Sequence, residues 1–236
     1  MKNRKKVERM HNPLDTLTKR QSAYIGEVLH EYHNFPGVYD GPCPNEYPDA
    51  VGSIPRIDSG YFVLIDDKRY IMNIEDESKK ITKETLLKSD KYKGILEYAF
   101  KVPVISAIST LAPLEDCETI LHKSPTQTLK PYIRSFSSPD SEKILSSITD
   151  KIKNNNTLSK VEALELVMLP KRFKNNHTEV LEKVCNLLKI VKVDDNNFKY
   201  ELILEMKCII HKYAETIDDI IHFEEVIGLS KVKTAM

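Results

Sequence analysis

Apolar positions change their period along the chain, and the change divides it. Residues 14–35 carry Leu14, Leu17, Tyr24, Ile25, Val28, Leu29 and Tyr32 at roughly helical spacing, which predicts an amphipathic helix ended by Pro36-Gly37. Residues 39–55, with Gly41-Pro42, Pro44, Pro48 and Pro55, read as an irregular loop. Two β-rich runs follow, residues 58–65 and 70–77, joined by the polar stretch 66–69, and predict a hairpin. Residues 82–100 hold Leu86, Leu87, Ile95, Leu96, Tyr98, Ala99 and Phe100 on a partly periodic face and predict a helix. Residues 102–109 are apolar without alternation, as in a strand covered on both faces. With a helix between, that strand returns parallel to the hairpin and is expected at the centre of the sheet. Residues 131–136 alternate and predict a last strand.

Beyond residue 138 the period becomes helical over residues 140–153, 159–169, 177–191 and 198–222. Ser138-Pro139-Asp140-Ser141-Glu142 combines a capping residue, an early Pro and early acids, a start signal for the first of them. The expected class is α/β: a basic tail over residues 1–13, a mixed sheet core flanked by helices over 14–138, and a helical C-terminal part over 139–236 packed on that core.

Composition narrows the function. The 236 residues are 41% hydrophobic, enough to bury a core, and Lys plus Arg equals Asp plus Glu at 35 each. Any nucleic-acid contact must therefore come from local patches. Lys2-Asn3-Arg4-Lys5-Lys6 is one patch, Lys171-Arg172-Phe173-Lys174 after Pro170 another, and Lys91, Lys93 and Lys101 belong to the crossover between the hairpin and residue 102. Each also suits a solvated face, the plainer reading for the tail and for Lys91, Lys93 and Lys101. Cys43, Cys117, Cys185 and Cys208 form no C-x-x-C pair and are expected reduced. No apolar run spans a membrane and the charged start lacks a signal-peptide core, so a cytoplasmic location is expected. No phosphate-binding or dinucleotide glycine motif occurs, and Ser109, Ser137 and Cys117 lack the context of a nucleophile.

The candidate chemistry lies at the open end of the hairpin. Asp58 opens the first strand, and Tyr70-Ile71-Met72-Asn73-Ile74 runs into Glu75-Asp76-Glu77. Alternation puts Glu75 and Glu77 on one face, and antiparallel pairing brings Asp58 beside them. Three converging carboxylates repel one another unless a cation is present, and hard oxygen ligands suit Mg²⁺ or Mn²⁺.

An acid opening one strand, a hairpin, and a second strand ending in acid-x-(Lys, Gln or Glu) resembles the PD-(D/E)XK nuclease superfamily, here its recombination-promoting nuclease and transposase branch. Arg56-Ile57-Asp58, residues 73–77, residues 102–109 and residues 163–170 carry the likeness. The resemblance implies a restriction-endonuclease-like sheet, DNA as partner, and a metal held by Asp58 and Glu75. It also implies a preceding helix that adds a carboxylate, for which Glu27 is the candidate. Glu77 stands where the family has Lys or Gln; a second metal, or Glu77 acting as base on the attacking water, would compensate. Glu77-Ser78-Lys79 spells the motif in a second frame, but the hydrophobic run leads into Glu75.

The leading expectation is a metal-dependent DNA endonuclease tied to mobile elements or recombination. The runner-up is an inactive nuclease-fold protein that binds DNA or protein, and the third is a helical adaptor built on the amphipathic C-terminus. A homodimer is left open. His30 and His33, three apart on a helix, have metal-ligand spacing without a third ligand, which favours a structural role. Tyr92 and Tyr98, beside lysines, suit base stacking or helix packing, and packing is the plainer reading.

Overall fold

A computed structural model describes residues 24–44, 59–137 and 140–229. The chain divides into two compact units at residues 138 and 139. The fold is α/β, and among the described residues no helix is long and apolar enough to cross a membrane.

The first unit runs α1 (Gly26–His33), β1 (Val38–Pro42), β2 (Ser59–Ile65), β3 (Lys68–Glu77), α2 (Lys83–Phe100), β4 (Val104–Thr110), β5 (Leu121–Ser124), β6 (Gln127–Leu129) and β7 (Tyr132–Ser135). One sheet has the order β1-β2-β3-β4-β7, and β5 and β6 form a separate two-stranded ladder. β1, β2 and β3 are antiparallel neighbours, whereas β3 with β4 and β4 with β7 are parallel. The β2–β3 hairpin closes at Asp66 and Asp67, which have φ of 49° and 59°. A two-residue hairpin turn wants left-handed backbone at both positions, and short acids tolerate it.

Side-chain alternation gives the sheet two apolar faces. Tyr61, Val63, Met72, Ile74 and Ala107 pack with Phe35 on the face that α1 covers. Ile71 and Val104 pack with Leu96, and Ile108 with Leu86, on the face under α2. α2 is started by a capping box between Thr82 and Thr85 and ended by left-handed Lys101. Each of those aliphatic burials contributes roughly 1.5–3 kcal/mol. Together they outweigh the several kcal/mol that burying one paired carboxylate beneath the helix costs.

Four sequence expectations change. β1 replaces the start of the loop expected from residue 39. Gly37, at φ +94°, turns the chain back so closely that an added Cβ would sit 2.8 Å from the Leu64 carbonyl oxygen. The strand is a bulged edge carrying Gly41 and Pro42, so no alternation announces it. The central strand is β3, not β4, because β1 adds one more strand on the hairpin side. The β5–β6 ladder was not expected, being short and largely exposed. The helix expected over 198–222 is two helices, described next. The basic tail and the predicted start of the first helix lie outside the described residues.

The second unit holds α3 (Ser141–Lys153), α4 (Lys160–Met168), a 3-10 turn (Leu169–Arg172), α5 (His177–Ile190), α6 (Asn196–Tyr213) and α7 (Ile217–Val226). Leu164, Leu166, Leu181, Leu202 and Met206 are fully buried in it. α6 stops at Ala214, and a capping box between Thr216 and Asp219 begins α7.

Candidate functional site

Along β3 the residues facing α2 are Ile71, Asn73, Glu75 and Glu77, while Met72, Ile74 and Asp76 face the α1 side. Glu75 and Glu77 therefore share a face, as the alternation predicts. Ser59 pairs with Ile74, so β2 begins beside the end of β3. Asp58, one residue earlier in sequence, lies outside the described residues. β3 ends at Glu77, which leaves Ser78 and Lys79 beyond the strand and favours the Glu75 frame.

Glu75 is fully buried and Glu77 half-buried. Lys88, from the second turn of α2, sets Nζ 2.5 Å from Glu75 Oε2, with 42% of the lysine side chain exposed and none of the glutamate's. Asn73 and Ser106 are register partners on β3 and β4. Both are buried, as is Ser89 on α2. The Asn73 amide and the Ser106 and Ser89 hydroxyls have no hydrogen-bond partner among the described residues. Buried polar atoms are almost always bonded, and Asn73 and Ser106, one step along the same sheet face from Glu75, fit a hydrated hard cation. Among the described residues no three acids, histidines or cysteines gather into a metal-binding group. A full carboxylate set thus depends on Asp58.

The opposite face carries a closed network. His30 Nε2 lies 2.9 Å from the Gly37 carbonyl, which can only accept, so Nε2 bears the proton and Nδ1 accepts from the Tyr61 hydroxyl at 3.2 Å. His33 Nδ1 donates to the Leu29 carbonyl at 2.8 Å. Both imidazoles are buried and serve packing. Burial, then Asp76, then Tyr39 push the Tyr61 hydroxyl far above its ordinary pKa, so it stays protonated. Ser109 donates to Asp76. Glu27 is exposed on α1, where after burial it is the second influence raising the Tyr39 pKa. Its helix covers the other face of the sheet, so Glu27 does not join Glu75 and Glu77, contrary to expectation.

Of the candidate DNA contacts, Lys91 is exposed three residues beyond Lys88, and Lys93 is paired with Glu97. Tyr92 is half-buried within the apolar cluster under α2, while Tyr98 is exposed and lies beneath Lys101 Nζ, 4.1 Å from its ring centre. Lys174 is exposed. Lys171 and Arg172 are not an outward patch: Arg172, with 4% of its side chain exposed, bonds Glu165 at 2.8 Å, and Lys171 bonds buried Glu205 at 3.0 Å. The 3-10 turn that follows α4 rolls both cations back into the helical unit. None of the four cysteines forms a disulfide. Burial pushes the Cys185 thiol up to about 12 and Cys208 up to about 11, leaving neither nucleophilic at neutral pH.

Sequence reasoning passed over Lys88, Asn73, Ser89 and Ser106. Asn73 and Ser106 each interrupt an apolar strand, a visible signal; Lys88 gives none, because its partner lies 13 residues back on another element. No protein-family model, curated protein or solved structure matches the chain.

Proposed function

We propose that the chain is a metal-dependent DNA endonuclease of PD-(D/E)XK type, acting on mobile elements or in recombination as the resemblance implies. The observation that carries this reading is a fully buried Glu75 on the same face as Glu77, at the end of the strand beside which β2 begins. The order of helix, three-stranded meander, crossover helix and parallel strand supports it. Asp58 and Glu75 would hold Mg²⁺ or Mn²⁺, with Asn73 and Ser106 beside them. Such a cation supplies charge to a phosphoryl oxygen in hydrolysis. Glu77, half-buried where Glu75 is enclosed, takes the proton of the attacking water. Lys91 meets a backbone phosphate.

A second reading, a nuclease-fold protein without turnover, is favoured by the pairing of Glu75 with Lys88, which already neutralises the acid. Plasmid DNA incubated with Mg²⁺, with Mn²⁺ or with EDTA separates the two. The endonuclease reading expects metal-dependent nicking that disappears in Asp58→Ala and Glu75→Ala. Intact plasmid at millimolar metal, or nicking that survives Asp58→Ala, overturns it.

A further inference from the structure

Position 77 carries a glutamate where the resemblance calls for Lys or Gln, so β3 brings no positive charge to its own acids. Positive charge reaches them from another element. Lys88 bonds Glu75 from α2 at 2.5 Å, with its stem partly in solvent and its head on a carboxylate that has no exposure at all. The geometry points to Lys88 as the cationic positioning residue of this site. It neutralises Glu75 in the metal-free protein, yields that carboxylate to a divalent cation, and turns its ammonium to a phosphate oxygen of bound DNA. The inference rests on the endonuclease reading.

Three observations lead there. A carboxylate buried without counter-charge is costly, so some cation must always accompany Glu75. A lysine ammonium is a compact charge on a flexible stem, and one that is 42% exposed can exchange partners without displacing α2 from the sheet. Lys171, which pairs with an equally buried acid, Glu205, is only 21% exposed, half the exposure of Lys88. The surroundings of Lys88 also suit the shift. The Tyr92 ring lies 5.5 Å from Nζ on the next turn, and exposed Lys91 continues the same side of α2 toward solvent.

The test uses the full chain as wild type, Lys88→Gln, Lys88→Arg, and Lys88→Gln combined with Glu77→Lys. Two readouts are taken: Mn²⁺ affinity without DNA, from the electron paramagnetic resonance of free Mn²⁺, and Mg²⁺-dependent plasmid cleavage. Lys88→Gln is expected to bind Mn²⁺ about tenfold more tightly, having lost the competing ammonium, yet to cleave about 100-fold more slowly. Lys88→Arg keeps most cleavage, and the double variant regains it by supplying charge from position 77. A structural lysine would not give tighter metal with slower cleavage, nor rescue from another strand. Cleavage at the wild-type rate in Lys88→Gln overturns the inference while leaving the endonuclease reading intact, and so does a double variant as slow as Lys88→Gln. If Lys88→Gln does not fold, the double variant decides in the same way. A wild type that neither binds Mn²⁺ nor cuts overturns both.

Discussion

Asn73 is a buried amide in the middle of an apolar strand, with neither its oxygen nor its nitrogen bonded to a described protein group. An unmatched buried polar group costs about 1–3 kcal/mol. The fold retains that cost beside the fully buried Glu75, the trade expected where function opposes stability. Asn73→Leu, similar in size and apolar, should raise the melting temperature of the metal-free protein and reduce the further rise that Mn²⁺ brings. Thermal scans with and without millimolar Mn²⁺ measure both. A lower metal-free melting temperature would show the amide to be satisfied in the native protein. At this scale the sequence was half legible. The alternation of β3 was enough to unite Glu75 and Glu77, since a period of two needs no tertiary information. The inward turn of Arg172 and the reach of Lys88 depend on which helix lies opposite, which no local pattern contains.

Elements were legible where their periodicity was long and their caps polar. α4 is an example: Ser159 and Glu162 form a capping box at its start. Glu162 also receives Lys151 from α3. That hydrogen bond is the largest influence on Glu162 and outweighs burial, holding its carboxyl below the ordinary 4.5. A depressed folded pKa means stability that is present above pH 4.5 and lost as pH falls through the folded value. Glu162→Ala should therefore cost about 1 kcal/mol at pH 7, and the gap between variant and wild type should narrow at pH 3. Urea denaturation at the two pH values tests this; an equal gap at both would show that the ionised carboxylate contributes nothing. β1 was hidden because edge strands tolerate Gly, Pro and bulges that punctuate loops elsewhere. The break between α6 and α7 was hidden because Ile217, Ile220 and Phe223 continue an apolar rhythm through Thr216, and only the capping box interrupts it.

At the scale of the molecule there are two cores, one between the sheet and its helices and one among α3 to α7. Each is expected to answer to its own defects. Arg172→Ala removes a nearly buried guanidinium from half-buried Glu165 and should cost the helical unit about 1.5–3 kcal/mol. Hydrogen exchange should then accelerate in α4, α5 and α6 while amides of β2, β3 and β4 keep their protection, and affinity for plasmid DNA should not change. Equal acceleration in both units would make the chain one cooperative body. Weaker DNA binding would return Arg172 to the interface. The class of the fold was legible at this scale because mixed strand and helix periods give way to helical periods alone near residue 138, while the order of strands was not, since pairing partners are chosen in three dimensions.

The parallel pairing of β3 with β4 reaches further than the sheet. Parallel neighbours cannot be joined by a tight turn, so the chain must leave β3, run back across its face as α2 and enter β4 from the far end. The early turns of α2 are thereby carried over the last residues of β3, and Lys88 meets Glu75 through connectivity alone. A helix advances about 100° per residue. One residue inserted or deleted between the start of α2 and Lys88 would swing the ammonium a quarter turn or more around the helix, with every side chain at the acids unaltered. The spacing of 13 residues between Glu75 and Lys88 is thus as much a part of this site as the residues themselves.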